Sequence, residues 1–79
     1  IVVKRLFKDN KSLFQELAQA HDGITPAYRL VSQEGPSHNR EFTVQVLLKE
    51  NVAGQGQGRN KQTAEQEAAR DALMNRGWI

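Results

Sequence analysis

The sequence has no cysteine and no apolar run long enough to cross a bilayer. The first absence excludes disulfide bonds and thiolate chemistry and fits a reducing compartment, so we expect a cytoplasmic protein. The second absence, together with the lack of a signal-peptide pattern, excludes a membrane from the expected partners. The 79 residues make one small domain. A chain of this size buries only ~60% of its unfolded surface, so we expect a thin core.

The excess of positive charge is small. Lysine and arginine number 11 against 9 aspartate and glutamate residues, which gives a formal net charge of +2 and a pI near 9.3. This balance permits a nucleic-acid partner without requiring one. The placement of the cations along the chain therefore has to show whether a nucleic acid is the expected partner.

The first eight residues, IVVKRLFK, are apolar and basic and carry no turn signal. Because the sequence begins with Ile rather than Met, we expect a processed product or a piece of a longer protein. Residues 1–8 are interpreted as a linker or as the tail of a preceding domain. Residues 9–79 are interpreted as the folded domain.

Hydrophobic periodicity divides the domain into five elements. Leucine and alanine recur at helical spacing in the first of them, and Gly23 is suited to end that helix. Apolar and polar residues then alternate in runs that GPSHN and KEN separate. We predict a helix at about Asn10–His21, strands at Ala27–Glu34, Glu41–Lys49 and Val52–Gln57, and a helix at about Lys61–Asn75 capped by Asn60. The order predicts an α+β fold, α-β-β-β-α, with a three-stranded antiparallel sheet and both helices on one face.

The stretch GQGQGRNKQTAEQEAAR, residues 54–70, places alternating glycines before a basic helix start. It lacks the G-K-[ST] ending of a P-loop, and its glycine spacing does not fit a dinucleotide fingerprint. What remains is a helix N-terminus with Arg59 and Lys61 beside it, which suits an anionic oxygen. An extended phosphate backbone is the favoured ligand because no loop forms a pocket there. The alternative is that the glycines only permit tight packing and that Asn60 only caps the helix.

Three stretches, KSLFQELAQ, PAYRLVSQEGPSHNREFTVQV and GQGQGRNKQTAEQEAARDAL, occur in this order on the predicted elements. Together they resemble the double-stranded RNA-binding domain, most closely the one at the C-terminal end of bacterial ribonuclease III. The resemblance covers residues 10–77. The α-β-β-β-α fold of that family agrees with the elements inferred from periodicity.

The resemblance implies three contact regions for duplex RNA, which is the expected partner. The first helix lies along a minor groove, where Gln15 and Glu16 offer acceptors for 2′-hydroxyls. The loop GPSHN reaches a second minor groove, and the start of the last helix binds phosphates across the major groove. This spacing requires a duplex of ~16 base pairs. The implied contact residues are Lys11, Ser12, Gln15, Glu16, Pro36, His38, Arg59, Asn60, Lys61 and Gln62.

Two positions depart from the pattern of the family. Gln62 stands where the second of two adjacent lysines is usual, and Asn60 stands where serine is usual. Asparagine and serine cap helices equally well, so the change at Asn60 alters little. The missing charge at Gln62 predicts a lower affinity with the same mode of binding.

No catalytic and no metal-binding residues are predicted. The nine carboxylates form no paired pattern that would hold a metal, and His21 and His38 fall on different elements. The resemblance implies a parent ribonuclease III that processes ribosomal RNA and cuts it with a separate acidic domain. This chain is therefore not expected to be an enzyme or to bind a cofactor. Magnesium is expected only in the nuclease domain, through which the parent would form a homodimer.

Two alternatives remain open from the sequence. In place of a ribonuclease III domain, the sequence also allows the double-stranded RNA-binding module of a protein that is not a nuclease, or a domain of the same fold that has lost RNA binding. In the second case it would serve in protein interaction through its sheet or its last helix.

Overall fold

The computed structural model describes residues 10–78, so the segment 1–8 that we interpret as a linker or tail lies outside the described residues. Five elements follow one another: α1 (Asn10–Asp22), β1 (Ala27–Glu34), β2 (Glu41–Leu48), β3 (Asn51–Gly58) and α2 (Lys61–Asn75). The strands form one antiparallel sheet in the order β1-β2-β3, and both helices pack on one face of it. The predicted α+β fold is confirmed, and each predicted end lies within one residue of the observed one.

The core lies between the sheet and the two helices. The central strand β2 contributes alternate residues to it, as the period of two in its sequence predicts. Helix α2 contributes a stripe that is mostly alanine, which lets the helix approach the sheet closely. The buried apolar residues are Phe14, Ala18, Val44, Val46, Leu48, Ala64, Ala68, Ala69, Ala72 and Leu73.

The three glycines of β3 form the surface on which α2 rests. A Cβ atom at Gly54 would lie 2.5 Å from the amide nitrogen of Ala72, and one at Gly58 would lie 2.7 Å from that of Ala64. Gly56, between them, meets the helix backbone in the same way. Any larger residue would push the helix off the sheet, because the obstructing atoms belong to its backbone. The packing role considered for the glycines is confirmed, and the exposed start of α2 has to be explained separately.

Two irregularities change the register of the sheet. One lies between Leu30 and Ser32 in the pairing of β1 with β2, and the other lies between Val46 and Leu47 in the pairing of β2 with β3. At each of these places one strand has an extra residue, which bends the strand and changes which face the following side chains occupy. Beyond the first irregularity, Ser32 pairs with Thr43 on the face that carries no helix. The predicted alternation of β1 therefore holds only for its first half.

The end of α2 is joined to the end of α1. Trp78 folds back so that its ring stacks on His21 at a centroid distance of 4.8 Å and lies 5.7 Å from the ring of Phe14. Arg76 forms an ion pair with Asp22 at 2.9 Å. Trp78 therefore packs on the domain and links the ends of the two helices.

Candidate nucleic-acid interface

The first predicted contact region is the solvent side of α1. Phe14 and Ala18 are completely buried, so the helical period turns the opposite side of α1 outward. Ser12, Gln15 and Glu16 lie on that side and are exposed. We call these three residues the α1 row. The hydroxyl of Ser12 and the amide of Gln15 can donate and accept hydrogen bonds, and the carboxylate of Glu16 accepts them, which is what a 2′-hydroxyl and a base edge require.

Lys11 lies at the edge of the α1 row and has different surroundings. Its ammonium group is 2.6 Å from Oε1 of Glu65 in α2 and 5.1 Å from the centroid of the Tyr28 ring in β1. Its side chain is only 36% exposed. The RNA contact of Lys11 stays a prediction, and the structure shows that this lysine already has a carboxylate partner.

The second predicted region is the loop between β1 and β2, which forms a tight turn. Gly35 has a left-handed φ of 98°, and the amide of Asn39 donates to the carbonyl oxygen of Pro36 at 2.9 Å. A Cβ atom at Gly35 would lie 2.6 Å from the carbonyl oxygen of Asn39, so the turn requires glycine. Pro36 and His38 are exposed on the turn. The loop thus offers solvent an imidazole that, when neutral, can donate one hydrogen bond and accept another.

The third predicted region is the start of α2. Asn60 has an extended backbone (φ −144°, ψ 169°), and its side-chain oxygen accepts a bond from the amide of Thr63 at 2.7 Å, so the predicted cap is confirmed. The first turn of the helix contains no acidic residue. Arg59, Lys61 and Gln62 are exposed, and none of them forms an ion pair with another described residue. The positive end of the helix dipole therefore coincides with two cations, an arrangement that favours an anion.

Sheet register and helix packing make the three regions neighbours. Phe42 pairs with Gly58, which places the end of the β1–β2 loop beside the residues that lead into α2. The first turn of α1 meets the second turn of α2 through the pair of Lys11 and Glu65. The start of α2 therefore lies between the loop and the α1 row, which is the order that a minor groove, a major groove and a second minor groove would require.

Arg40 is a candidate that sequence reasoning missed. With Asn39, Glu41 and Arg59 it lines a shallow groove of about 250 Å³ between the loop and the start of α2. Its guanidinium group donates to Oε1 of Gln33 at 3.2 Å. The predicted pairing of β2 with β3 could have indicated this residue. In an antiparallel pair the residue just before β2, Arg40, must lie close to the residue just after β3, Arg59.

Within residues 10–78, no group of three or more histidine, cysteine or acidic side chains is placed to hold a metal ion. His21 stacks on Trp78, whereas His38 lies in the β1–β2 loop, so the two histidines occupy separate sites. No helix in the described part of the chain is long and apolar enough to span a bilayer.

Comparison with known proteins shows which family has this arrangement. The family described as the double-stranded RNA binding motif matches residues 10–75. The chain belongs to this family. The match includes all five elements and every predicted contact residue.

Similar proteins include bacterial ribonucleases and plant RNA-processing proteins. A Ribonuclease 3 of a Nitratiruptor species is 53% identical over 68 residues, which are 86% of this chain and 30% of that protein. A Ribonuclease 3 of Geobacter sulfurreducens is 52% identical over 66 residues, 84% of this chain and 27% of that protein. Among solved structures, Arabidopsis HYL1 has a TM-score of 0.73 at 38% identity, covering 87% of this chain and 97% of that chain.

The chain thus spans less than a third of the length of these curated relatives. The identity over the matched region fits the C-terminal RNA-binding domain of ribonuclease III.

Proposed function

We propose that this chain binds double-stranded RNA through its A-form shape, as the substrate-binding domain of a ribonuclease III-type endoribonuclease. The observation that carries the proposal is the start of α2. There, exposed Arg59 and Lys61 flank a capped helix end with no acidic residue in its first turn. These cations oppose the helix dipole, so a bound anion would relieve their repulsion as well as form new contacts.

In this proposal the start of α2 binds the RNA backbone without reading its sequence. The guanidinium group of Arg59 and the ammonium group of Lys61 each neutralise a phosphate and release its counterion. Gln62 donates a hydrogen bond to a phosphate oxygen but releases no counterion. Asn60 holds the helix start in shape through its bond to the Thr63 amide, which leaves the amides of Lys61 and Gln62 directed at the ligand.

The other two contact regions, the α1 row and the β1–β2 loop, account for a preference for RNA over DNA. The α1 row enters one minor groove, where Gln15 and Glu16 accept hydrogen bonds from 2′-hydroxyls that DNA lacks. The β1–β2 loop places His38 in the next minor groove, with Pro36 stiffening its approach. Because both grooves have to be filled together, a duplex of ~16 base pairs is needed for full affinity.

The nuclease association is supported by the two Ribonuclease 3 relatives named above, which are 53% and 52% identical over the matched residues. The parent would cut RNA with a separate magnesium-dependent domain and would dimerise through it. It would act on ribosomal RNA precursors in the cytoplasm. Sequencing the parent gene tests this part, since a ribonuclease III has an acidic nuclease domain upstream and a parent without one would refute it.

A competition titration tests the binding proposal itself. A labelled RNA duplex is displaced by an unlabelled RNA duplex, by a DNA duplex of the same sequence or by single-stranded RNA. We expect only the RNA duplex to compete well. Equal competition by DNA would refute recognition of 2′-hydroxyls, and the absence of any RNA binding would favour the protein-interaction alternative. The RNA should remain intact when magnesium is added, and specific cleavage by the pure domain would contradict the proposal.

A further inference from the structure

One ion pair and two hydrogen bonds join the first turn of α1 to the second turn of α2. The ammonium group of Lys11 pairs with Oε1 of Glu65 at 2.6 Å, and the backbone amide of Lys11 donates to Oε1 of Gln66 at 3.3 Å. The side-chain amide of Asn10 lies 3.5 Å from the carbonyl oxygen of Gln66. These contacts join the helix that carries the α1 row to the helix whose start carries the two exposed cations.

The pair of Lys11 and Glu65 is more enclosed than a surface ion pair. The two side chains are 36% and 23% exposed, and the ammonium group also lies 5.1 Å from the centroid of the Tyr28 ring. Lys11 therefore contacts α2 and β1 at once. Such a pair is screened less by salt than an exposed one, and its geometry is held by three elements.

This setting distinguishes Lys11 from the other two candidate cations. Arg59 and Lys61 are exposed and form no ion pair with another described residue, so their charge is available to a phosphate. The ammonium group of Lys11 has N–H groups left to donate to a phosphate while it is paired with Glu65, but that phosphate would then stand beside the Glu65 carboxylate. Two like charges at that distance repel each other, so direct phosphate binding by Lys11 is unfavourable.

From these contacts we infer that Lys11 and Glu65 form a positioning pair, which sets the separation between the α1 row and the start of α2. The inference rests on the proposed function, because the separation matters only if both regions bind one duplex. The grooves of A-form RNA lie at fixed distances, so two regions held at the matching distance bind together without further ordering. Without the pair, the first turn of α1 would have to be ordered at the moment of binding.

Replacement of the carboxylate tests this inference, because the two roles of Lys11 predict opposite results. If Lys11 is a positioning residue, Glu65→Gln weakens binding to duplex RNA by about three- to tenfold, the lower range for coupled neighbouring residues. If Lys11 is a phosphate ligand, the same change frees its charge, tightens binding and steepens the salt dependence. Tighter binding by Glu65→Gln would therefore overturn the inference.

Glu67→Gln is the matched control, since it removes the same charge two residues further along α2. Glu67 pairs only loosely with Arg70, at 3.8 Å, and both side chains are about half exposed. Its replacement should leave affinity unchanged or raise it slightly through the added net positive charge. Equal weakening by both variants would assign the effect to charge on α2 and would overturn the inference.

The exchanged pair, Lys11→Glu with Glu65→Lys, separates positioning from a general loss of stability. We expect each single variant to bind weakly and the double variant to recover part of the affinity, with the wild-type salt dependence. Affinities are compared well below the melting temperature of each variant, so that they describe the folded domain. A double variant that binds no better than the weaker single variant would overturn the positioning role. Failure of the wild-type domain to bind duplex RNA would instead refute the proposed function.

Discussion

The two ends of α2 hold cations in opposite ways. At the N-terminal end, Arg59 and Lys61 are exposed, form no ion pair with another described residue and stand at the positive end of the helix dipole. Just beyond the other end, Arg76 is paired with Asp22 at 2.9 Å and lies 5.2 Å from the centroid of the Trp78 ring. Both ends of α2 carry basic residues, but only at the C-terminal end is the positive charge paired with another residue of the fold.

The difference separates a cation whose charge is satisfied within the fold from cations whose charge is available to a ligand. A cation near the C-terminus of a helix is favoured by the dipole, and Arg76 gains an acidic and an aromatic neighbour besides. A cation at the N-terminus is disfavoured by ~0.3–1 kcal/mol. The placement of Arg59 and Lys61 therefore costs stability, and an anionic ligand at this end gives it a physical reason.

The largest effect is expected from Gly56→Ala, which disrupts the glycine surface of β3 on which the whole of α2 rests. The new Cβ atom would meet the backbone of α2 at Ala68, and backbone atoms cannot move aside as a flexible side chain can. We expect a loss of about 1–3 kcal/mol or more, as for other overpacked sites. Thermal melting measures it, with Gly77→Ala as the control. Gly77 has a φ of 72° with no neighbour near its Cβ position, so that variant carries only the left-handed backbone cost of roughly 1–2 kcal/mol.

A Gly56→Ala variant as stable as the wild type would mean that α2 does not rest on the glycine surface. In that case the close packing could not be what places the start of α2 beside the loop.

Local sequence pattern predicted the elements well. Proline and glycine mark the two ends of β1, and Asn60 and Gly77 mark the ends of α2, so both elements begin and end where predicted. The pattern failed where an extra residue enters a strand, because the shift near Val31 depends on pairing with β2. The pattern also gave no sign that a residue on the outer face of the sheet would be buried. Thr43 lies on the face without helices yet is only 8% exposed, with the side-chain amide of Gln57 3.3 Å from its hydroxyl.

The candidate site was predictable to the extent that it consists of exposed residues on regular elements. Helical spacing was enough to place Gln15 and Glu16 outward, and the residue types at the start of α2 were enough to indicate an anion. Contacts between distant parts of the chain were not predictable in this way. Lys11 and Glu65 are 54 positions apart, and no periodicity reports which carboxylate a lysine will meet.

The next largest effect is expected from substitutions at the two ends of α2, because those at one end should change RNA binding and those at the other should change stability. Arg59→Ala or Lys61→Ala should weaken RNA binding and lower the slope of log affinity against log salt by ~0.9 per contact, a B-DNA value that serves as a guide. Neither change should lower the melting temperature of the free domain. Arg76→Ala should leave the slope unchanged and cost ~0.2–1 kcal/mol of stability, as expected for a partly exposed ion pair. Unchanged slopes for both N-terminal variants would show that this end serves the fold instead.

The smallest effect is expected from Gln62→Lys, which adds a third cation to the N-terminal end. Gln62 is exposed in the first turn of α2, beside Lys61. A lysine there would release a counterion that the amide does not, so binding should tighten and the salt slope should steepen by up to about one contact. The same charge would oppose the helix dipole and cost ~0.3–1 kcal/mol, an effect that salt screens.

The Gln62→Lys variant should therefore separate affinity from stability, because the two move in opposite directions. Titration of both proteins with one RNA duplex at several salt concentrations gives the affinity and its slope. Melting without RNA gives the stability, which should be slightly lower for the variant at low salt and equal at high salt. Gln62→Glu is the opposite control, because a carboxylate favours the helix start and repels phosphate. If Gln62→Lys binds no tighter at low salt, position 62 does not face the RNA backbone. The phosphate contacts would then have to be confined to Arg59 and Lys61.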